Sequence, residues 1–474
     1  MKRELEVYRP IAYQIVVLWG MRIYVIVCHL RLSEPYVSSF EISDALFYAI
    51  VAIGVAAPIG LVAGMIPGVG GKVALAVFAP LLSSHQPAGA LMLLLTLHAV
   101  VRLGGALPAI VLGVPGSSAD AAMTVHGHAL AGRGEYSRAV ALTCLGGALS
   151  GVVGIWLFVA IAVSGSSWLT EMTPSVRWGL FMAAFLLIVM GESSRRLLAV
   201  FVLGLGIFFS SASENSEEWR LPILPMMLGL LVVPQLLAQA GTNEAPQFGV
   251  GEKRKGSFRS AWQDLLNHRL VWTACAALGW ICGLAPGVGA TAISWMALTL
   301  KRLMRSNDSS EQDSDIAGVV APIAGTMSKE GGSLVTTLLL GIPGSTAMII
   351  MLSVFQNDVI PPGSPQSLVT GSQFIMIGSV VSLGIGVAAM LALPLARQLA
   401  RVRRLPSTSL RRTSLLLVVL SVIVADRSLA ALLVLVFAGA LGTLMDRLSV
   451  ARIPLIIGVI LGTDAVALTL QVWF

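Results

Sequence analysis

Four Pro-Gly dipeptides interrupt long apolar stretches of this 474-residue chain, at Pro67-Gly68, Pro115-Gly116, Pro286-Gly287 and Pro343-Gly344. Proline removes a backbone donor and glycine relaxes the chain, so each dipeptide is expected to break a helix. In lipid, broken backbone must be buried in protein or line a wet cavity, because unpaired polar groups there are costly. The four breaks together predict one shared interior site.

The breaks suit a small anion and a cation. Freed amide groups at half-helix N-termini favour carboxylates, whereas freed carbonyl oxygens favour cations. The alternative is that each Pro-Gly ends a helix at the membrane surface, with Ser and Thr as ordinary N-caps. The predicted substrate-binding residues are Pro67, Gly68, Gly70, Lys72, Pro115, Gly116, Ser117, Ser118, Pro286, Gly287, Gly289, Thr291, Thr326, Lys329, Pro343, Gly344, Ser345 and Thr346. A candidate Na⁺ site lies near Gly68, Gly116, Gly287 and Gly344, and no catalytic residue is predicted.

Charged residues stand beside the breaks: Lys72, Arg102, Asp120 and the pair Lys329-Glu330. A charge at membrane depth is costly unless it faces a partner or water. A cation beside a broken helix suits an anionic substrate. Two alternatives stay open, namely that Lys329 pairs with Glu330 in a solvated loop and that Arg102 extends to the membrane surface.

The motifs recur within the chain. Segment 64–70 (GMIPGVG) returns 219 positions later as 283–289 (GLAPGVG), and segment 113–118 (GVPGSS) returns 228 positions later as 341–346 (GIPGST). A Gly-Gly pair precedes the second motif in both halves. Two ordered pairs of motifs predict an internal duplication. If the basic N-terminus is cytoplasmic, the two halves enter the membrane from opposite sides, which favours inverted repeats.

The composition places the chain in lipid. Only 12% of the residues are charged, 56% are hydrophobic, and the mean hydropathy is +0.85. The apolar runs are continuous rather than alternating, which favours helices over a membrane β-barrel. The predicted fold is therefore an all-α polytopic membrane protein with about 11 or 12 transmembrane helices, two homologous repeats and discontinuous or re-entrant helices.

The chain divides into four parts. Residues 1–42 form an N-terminal extension with a candidate signal-anchor helix, for which a removed signal peptide is the alternative. Residues 43–246 form the first half, 247–268 a basic cytoplasmic linker, and 269–474 the second half. The basic clusters between apolar runs mark the cytoplasmic side.

These motifs resemble the large membrane subunit, TctA-type, of tripartite tricarboxylate transporters. The resemblance rests on 64–70, 113–118, 126–134, 283–291, 329–346 and 361–363, and it covers about residues 43 to 470. It implies a cation-coupled uptake permease of the bacterial inner membrane, working with a small TctB-type membrane subunit and a periplasmic TctC-type binding protein. Departures from the family pattern occur after Pro322, where Ile323 replaces a glutamate and Thr326-Met327 replace paired asparagines, and at Lys72.

The function expected is secondary active import of small tricarboxylates or dicarboxylates, as symport with Na⁺ or H⁺, without a cofactor. The alternatives are a passive channel or non-transporting scaffold and, with less support, a membrane-embedded enzyme. No phosphate-binding loop or hydrolase motif occurs in the sequence.

Overall fold

The computed structural model describes residues 42–66, 70–82, 87–164, 173–190, 196–214, 222–238, 258–286, 288–304, 310–355, 369, 371–400, 407–426 and 428–473. Every regular element in these ranges is a helix, which confirms the all-α prediction. The predicted N-terminal extension and the basic part of the linker, residues 247–257, lie outside the described residues.

The described part of the first half contains ten α-helices and one π-helical turn, Ala52–Ala56, between the first two. In chain order they are α1 (Ile42–Val51), α2 (Ala57–Gly64), α3 (Gly70–Leu82), α4 (Pro87–Val111), α5 (Ala121–Gly132), α6 (Tyr136–Ser164), α7 (Pro174–Met190), α8 (Arg196–Glu214), α9 (Ile223–Leu231) and α10 (Val233–Ala238).

The described part of the second half contains nine α-helices and a π-helical turn, Val335–Leu339, after the fourth. They are α11 (Phe258–Asn267), α12 (Arg269–Gly283), α13 (Ala290–Leu303), α14 (Glu311–Leu334), α15 (Thr346–Phe355), α16 (Gly371–Leu399), α17 (Ser407–Asp426), α18 (Leu429–Arg447) and α19 (Ile453–Trp473). Helix α11 occupies the end of the predicted 247–268 linker.

Six helical segments in the described ranges are long and apolar enough to cross a membrane, or seven if the bent α19 is one span. They are α1 with α2, α4, α6, α8, α16 and α18. Several other apolar helices are shorter, between 10 and 17 residues, among them α12. Many of the predicted apolar runs form helices that are shorter than a bilayer crossing needs, so length and composition identify six or seven spans in the described ranges. The predicted 11 or 12 crossings stay a prediction.

Helices α4 and α14 occupy the centre of the molecule. Nearly every residue of α4 is buried, as expected for a helix that is apolar on all sides. Helix α14 is equally buried although its C-terminal half carries Lys329 and Glu330. It begins where the Ser310 hydroxyl accepts a hydrogen bond from the Asp313 amide, a regular N-cap.

Helix α14 runs in the same direction as α6 and α12. On α6, Gly147 lies against Ile323, and Gly154, two turns later, lies against Gly331. On α12, Gly279 lies against Gly325 and Gly283 against the Lys329 carbonyl. Small residues at these positions let the backbones approach closely, as is common between membrane helices.

Helix α13 turns back along α14. Gly325 lies against Ala297, and Lys301, further along α13, donates to Ser314 near the start of α14. Helices α12 and α13 therefore form a hairpin around residues 284–289. They have 15 and 14 residues, or about 22 Å each at 1.5 Å per residue, less than the roughly 30 Å of a bilayer core.

Helix α4 runs in the direction opposite to α6 and α14. Its residue Leu103 lies against Gly147 of α6, while the earlier Thr96 lies against Gly384 of α16. The neighbouring Ile385 lies against Gly151, which is one turn further along α6 than Gly147. The two central helices are therefore antiparallel.

Candidate functional site

The first break is packed against the second through glycines. A Cβ atom at Gly64 would lie 2.2 Å from the Val101 carbonyl oxygen, and one at Gly104 would lie 2.2 Å from the Leu61 carbonyl oxygen. The backbone of Gly116 lies against Gly105, and its amide donates to the Gly105 carbonyl at 3.2 Å. The end of α2, the middle of α4 and the second Pro-Gly segment thus meet without intervening side chains.

The third and fourth breaks are packed in the same way. A Cβ atom at Gly283 would lie 2.3 Å from the Lys329 carbonyl oxygen, and one at Gly332 would lie 2.1 Å from the Trp280 carbonyl oxygen. The backbone of Gly344 lies against Ser333. Each contact of the first cluster has its counterpart here, at positions shifted by 219 residues for α2 and α12 and by 228 residues for the later segments.

The turns after the two central helices also correspond. Gly113 and Gly341 have φ values of 68° and 72°, a left-handed conformation that favours glycine. The Val114 amide donates to the Pro108 carbonyl at 3.2 Å, and the Ile342 amide donates to the Thr336 carbonyl at 2.9 Å. Both turns lead the chain back toward the middle of the helix that it has just left.

The two clusters meet at a pair of hydroxyl groups. Ser118 Oγ and Thr291 Oγ1 lie 2.8 Å apart, and Ser294 donates to the Ala119 carbonyl at 2.7 Å. Ser118 is exposed, and a Cβ atom at Gly289 would meet nothing within 4 Å. This junction therefore joins the second break to the third beside open space.

Several of the predicted ligand contacts make local hydrogen bonds within their own turns. Ser117 donates through its hydroxyl to the Asp120 carboxylate at 2.7 Å, and its amide donates to the same oxygen at 2.8 Å. Ser345 accepts from the Met348 amide at the start of α15. The Gly344 amide donates to the Thr337 hydroxyl at 3.0 Å. For Ser345 the N-cap alternative describes the local geometry, whereas Ser117 donates to Asp120 in the turn before α5.

Other predicted residues differ in exposure. Pro286, Pro343 and Gly116 are buried, Pro115 and Thr346 are half-buried, and Gly289 is exposed. The Thr326 hydroxyl is buried and donates to the Pro322 carbonyl of its own helix at 2.8 Å. Pro67, Gly68 and Gly287 lie outside the described residues, as do the surroundings of Gly70 and Lys72 at the start of α3.

A buried charge cluster joins the central helices. From α4, Arg102 donates to Glu330 Oε1 at 3.2 Å, and His98 Nε2 lies 3.0 Å from Glu330 Oε2. Lys329 Nζ lies 3.8 Å from the same Oε2 atom. Arg102 and Glu330 are 228 positions apart, so they occupy corresponding places in the two halves. The solvated-loop alternative for Lys329 and Glu330 is wrong, because both residues are buried within α14.

A second ion-pair network was missed by the sequence reasoning. Asp315 of α14 accepts from Arg133 and lies 2.7 Å from His126 Nδ1 of α5. Arg138 of α6 forms a two-bond pair with Asp264 of α11, with both distances 2.7 Å. His126 and Arg133 belong to the 126–134 motif, but their partner Asp315 is far away in sequence, so only the helix packing brings them together.

The described residues contain no cluster of three or more His, Cys, Asp or Glu side chains suited to a metal ion. Of the four glycines around which a Na⁺ site was predicted, Gly116 and Gly344 are described, and their packed backbones belong to separate clusters. The predicted Na⁺ site therefore stays a prediction.

Comparison with known proteins agrees with the fold. A family model described as "Tripartite tricarboxylate transporter TctA family" matches residues 48–457. An uncharacterized 52.8 kDa protein in the TAR-I ttuC' 3' region of Agrobacterium vitis is 22% identical over 417 residues, which cover 85% of this chain and 83% of that relative. No solved structure matches the chain. Because the family match spans most of the sequence and the described helices are apolar, this multi-pass membrane protein belongs to the TctA family of tripartite tricarboxylate transporters.

Proposed function

We propose that this chain is the permease subunit of a secondary active transporter that imports small carboxylates, tricarboxylates or dicarboxylates, by symport with Na⁺ or H⁺. One observation carries the proposal: two glycine-packed breaks, one from each half, meet at Ser118 and Thr291 beside open space. A site between two units is what alternating access requires, because movement of one unit against the other changes the side from which the site is reached.

We infer that the two units are inverted repeats. Three glycine contacts and one turn with its backbone hydrogen bond recur at offsets of 219 and 228 residues. The corresponding central helices, α4 and α14, run in opposite directions. In this reading α12 and α13 form a re-entrant hairpin, since both are shorter than a bilayer span and the chain reverses between them.

The chemistry of the junction suits an anion. Ser118 and Thr291 offer hydroxyl donors, and exposed backbone continues through Gly289. Arg102 remains 19% exposed although it pairs with Glu330, so part of its guanidinium reaches the surroundings. Hydroxyl and guanidinium donors are the groups that bind carboxylates in proteins.

The family membership supports two partners, a small TctB-type membrane subunit and a TctC-type binding protein that delivers the substrate from the periplasm. It also supports a location in the bacterial inner membrane, where a periplasmic binding protein can dock. No enzymatic role is proposed. A passive channel or a scaffold is the second candidate, because several polar residues of the family pattern are replaced here, including those at Ile323, Thr326 and Met327.

Transport in proteoliposomes tests the proposal. The full chain is reconstituted with a small TctB-type membrane subunit and a TctC-type binding protein, and labelled citrate, succinate and malate are offered in turn. We expect at least one of them to accumulate above its external concentration under an inward Na⁺ or H⁺ gradient. Accumulation should vanish when an ionophore collapses that gradient.

The same assay separates the alternatives. A passive channel would bring the labelled anion only to equal concentrations on both sides, with or without the gradient. A scaffold would give no flux above that of empty vesicles. Either result would contradict secondary active transport by this chain.

A further inference from the structure

Lys329 is an unusual residue of the buried charge cluster. Its side chain has 0% exposure, and its Nζ atom has no hydrogen-bond partner among the described residues. An ammonium group has three donors and no acceptor. Leaving all of them unpaired in a packed interior is costly, whereas a neutral amine avoids much of that cost.

The surroundings of Lys329 disfavour a bound anion or metal ion. Glu330 and Arg102 are the charged groups that act on Lys329, and Glu330 in turn faces His98. An anion at Nζ would be repelled by Glu330, and a metal ion would be repelled by Arg102. Both carboxylate oxygens of Glu330 are already engaged, Oε1 by Arg102 and Oε2 by His98.

The helices packed against this part of α14 present glycines beside Lys329 rather than charged side chains. Gly283 of α12 lies against the Lys329 carbonyl, and Gly154 of α6 lies against Ser328 and Gly331. In the first half, the position that corresponds to Lys329 is Val101, which cannot bind a proton. The unpaired amine is thus a feature of one half only.

A proton is the cation that this arrangement can take up and release. Lysine changes its charge readily when it is buried, whereas arginine does not. Lys329 Nζ and His98 Nε2 both approach Glu330 Oε2, at 3.8 and 3.0 Å. His98 Nδ1 also has no hydrogen-bond partner within the described residues, so the imidazole can pass a proton between its two nitrogens.

We propose that Lys329 is the proton carrier of this permease, loaded and unloaded through Glu330 and His98, so that substrate import is coupled to H⁺. This inference rests on the proposed function and names its coupling ion. On the outside, the Lys329 amine takes one proton from water and becomes an ammonium. On the inside, the ammonium returns that proton to water, so charge and atoms balance over a cycle. Arg102 keeps a fixed positive charge throughout.

A pH jump tests the carrier without any substrate. Proteoliposomes containing the full chain are adsorbed on a solid-supported membrane, and the external solution is switched from pH 8 to pH 6. We expect a transient charge displacement in the wild type and none in Lys329→Met, which keeps the length of the side chain. The control is Lys301→Met, since Lys301 is also buried but donates to Ser314. That variant should keep the displacement.

Carboxylate flux provides the second measurement. With the three-component system, each unit of an inward pH gradient should support about tenfold accumulation per proton carried. Lys329→Met should lose this accumulation but still exchange internal labelled for external unlabelled carboxylate. Lys329→Arg keeps the positive charge without a releasable proton, so it should behave like Lys329→Met. If Lys329→Met aggregates during purification, Lys329→Arg takes its place in both measurements.

The outcomes separate the two proposals. No displacement in the wild type, or an equal displacement in the folded Lys329 variants, would overturn the proton carrier. Proton-dependent displacement that needs Lys329, with no flux of citrate, succinate or malate, would contradict the proposed substrates and support the carrier. Accumulation that follows a Na⁺ gradient and ignores Lys329 would support the permease and overturn the carrier.

Discussion

At the scale of single residues, Gly116 shows how the breaks are held together. A Cβ atom there would lie 2.5 Å from the Gly105 Cα atom and 2.9 Å from the Gly64 carbonyl oxygen. These obstacles are backbone atoms of two other segments, so no side-chain rotation can make room. Only glycine, whose side chain is a hydrogen atom, fits at position 116, so the geometry of the site requires it.

We predict that Gly116→Val abolishes carboxylate uptake while the protein still inserts into the membrane. Overpacking against backbone should also lower the free energy of unfolding by about 1 to 3 kcal/mol. Uptake and thermal unfolding in detergent measure both effects. Gly132→Val is the control, because a Cβ atom at Gly132 meets nothing within 4 Å. Normal uptake in Gly116→Val would contradict a site built from packed backbone.

The residue scale is also where sequence reasoning was weakest. Pro-Gly chemistry predicted where the chain would break, but residue type could not tell a ligand contact from a cap. Ser117 and Ser118 are neighbours with the same side chain, and only the fold directs one to Asp120 and the other to Thr291. Likewise, the burial of Lys329 depends on α12 and α6, which are distant in sequence.

At the scale of elements, ion pairs fix the end of α5 against α14 and α6 against α11. Asp315, near the start of α14, is the common acceptor for His126 and Arg133. Arg138, at the start of α6, joins α11 through Asp264. Pairs with two parallel hydrogen bonds add geometric specificity as well as energy, so they fix how the helix ends are arranged.

We predict that Asp315→Asn destabilises the protein by about 1 to 2 kcal/mol, because the half-buried His126 and Arg133 lose a charged acceptor. Thermal unfolding measures the effect. The control is Glu311→Gln, which removes an exposed carboxylate one turn earlier in α14. It should change the free energy of unfolding by only about a few tenths of a kcal/mol. Equal unfolding midpoints for Asp315→Asn and the wild type would show that these pairs contribute nothing to holding α5 on α14.

Element type was predictable from the sequence, and element length was not. Continuous apolar runs require helices in lipid, and α1 to α19 confirm that. The number of spans depends on where each helix stops and whether the chain reverses. The reversal between α12 and α13 follows from their shared packing on α14, a tertiary property that a hydropathy pattern does not contain.

At the scale of the whole molecule, the junction between the halves is large, because α14 packs on α6 and both His98 and Arg102 pair with Glu330. The Ser118–Thr291 hydroxyl pair and the Ser294 bond to the Ala119 carbonyl are its hydrogen bonds beside the exposed end of the second break. If one half moves against the other during transport, these are contacts that must change. The sequence predicts a duplication because its motifs repeat in order, but it does not predict their meeting point, since that depends on contacts across the halves.

We predict that a disulfide between Ser118→Cys and Thr291→Cys stops transport. The wild-type oxygen atoms are 2.8 Å apart, so sulfur atoms at these two positions would face each other. Oxidation of the double variant should abolish uptake, and reduction should restore it. Each single cysteine variant should show the same uptake after oxidation as after reduction, whatever its level relative to the wild type. Full uptake by the crosslinked protein would show that the halves need not separate here.

The pairing of Arg102 with Glu330 constrains the history of the chain. The two residues hold corresponding positions, yet one is a cation and the other an anion. In an ancestor made of two identical subunits, the same residue would have stood at both places, and like charges would have met across the symmetry axis. Under the proposed duplication, such an attraction arises only after the two copies have become separate sequences, which makes this ion pair younger than the duplication.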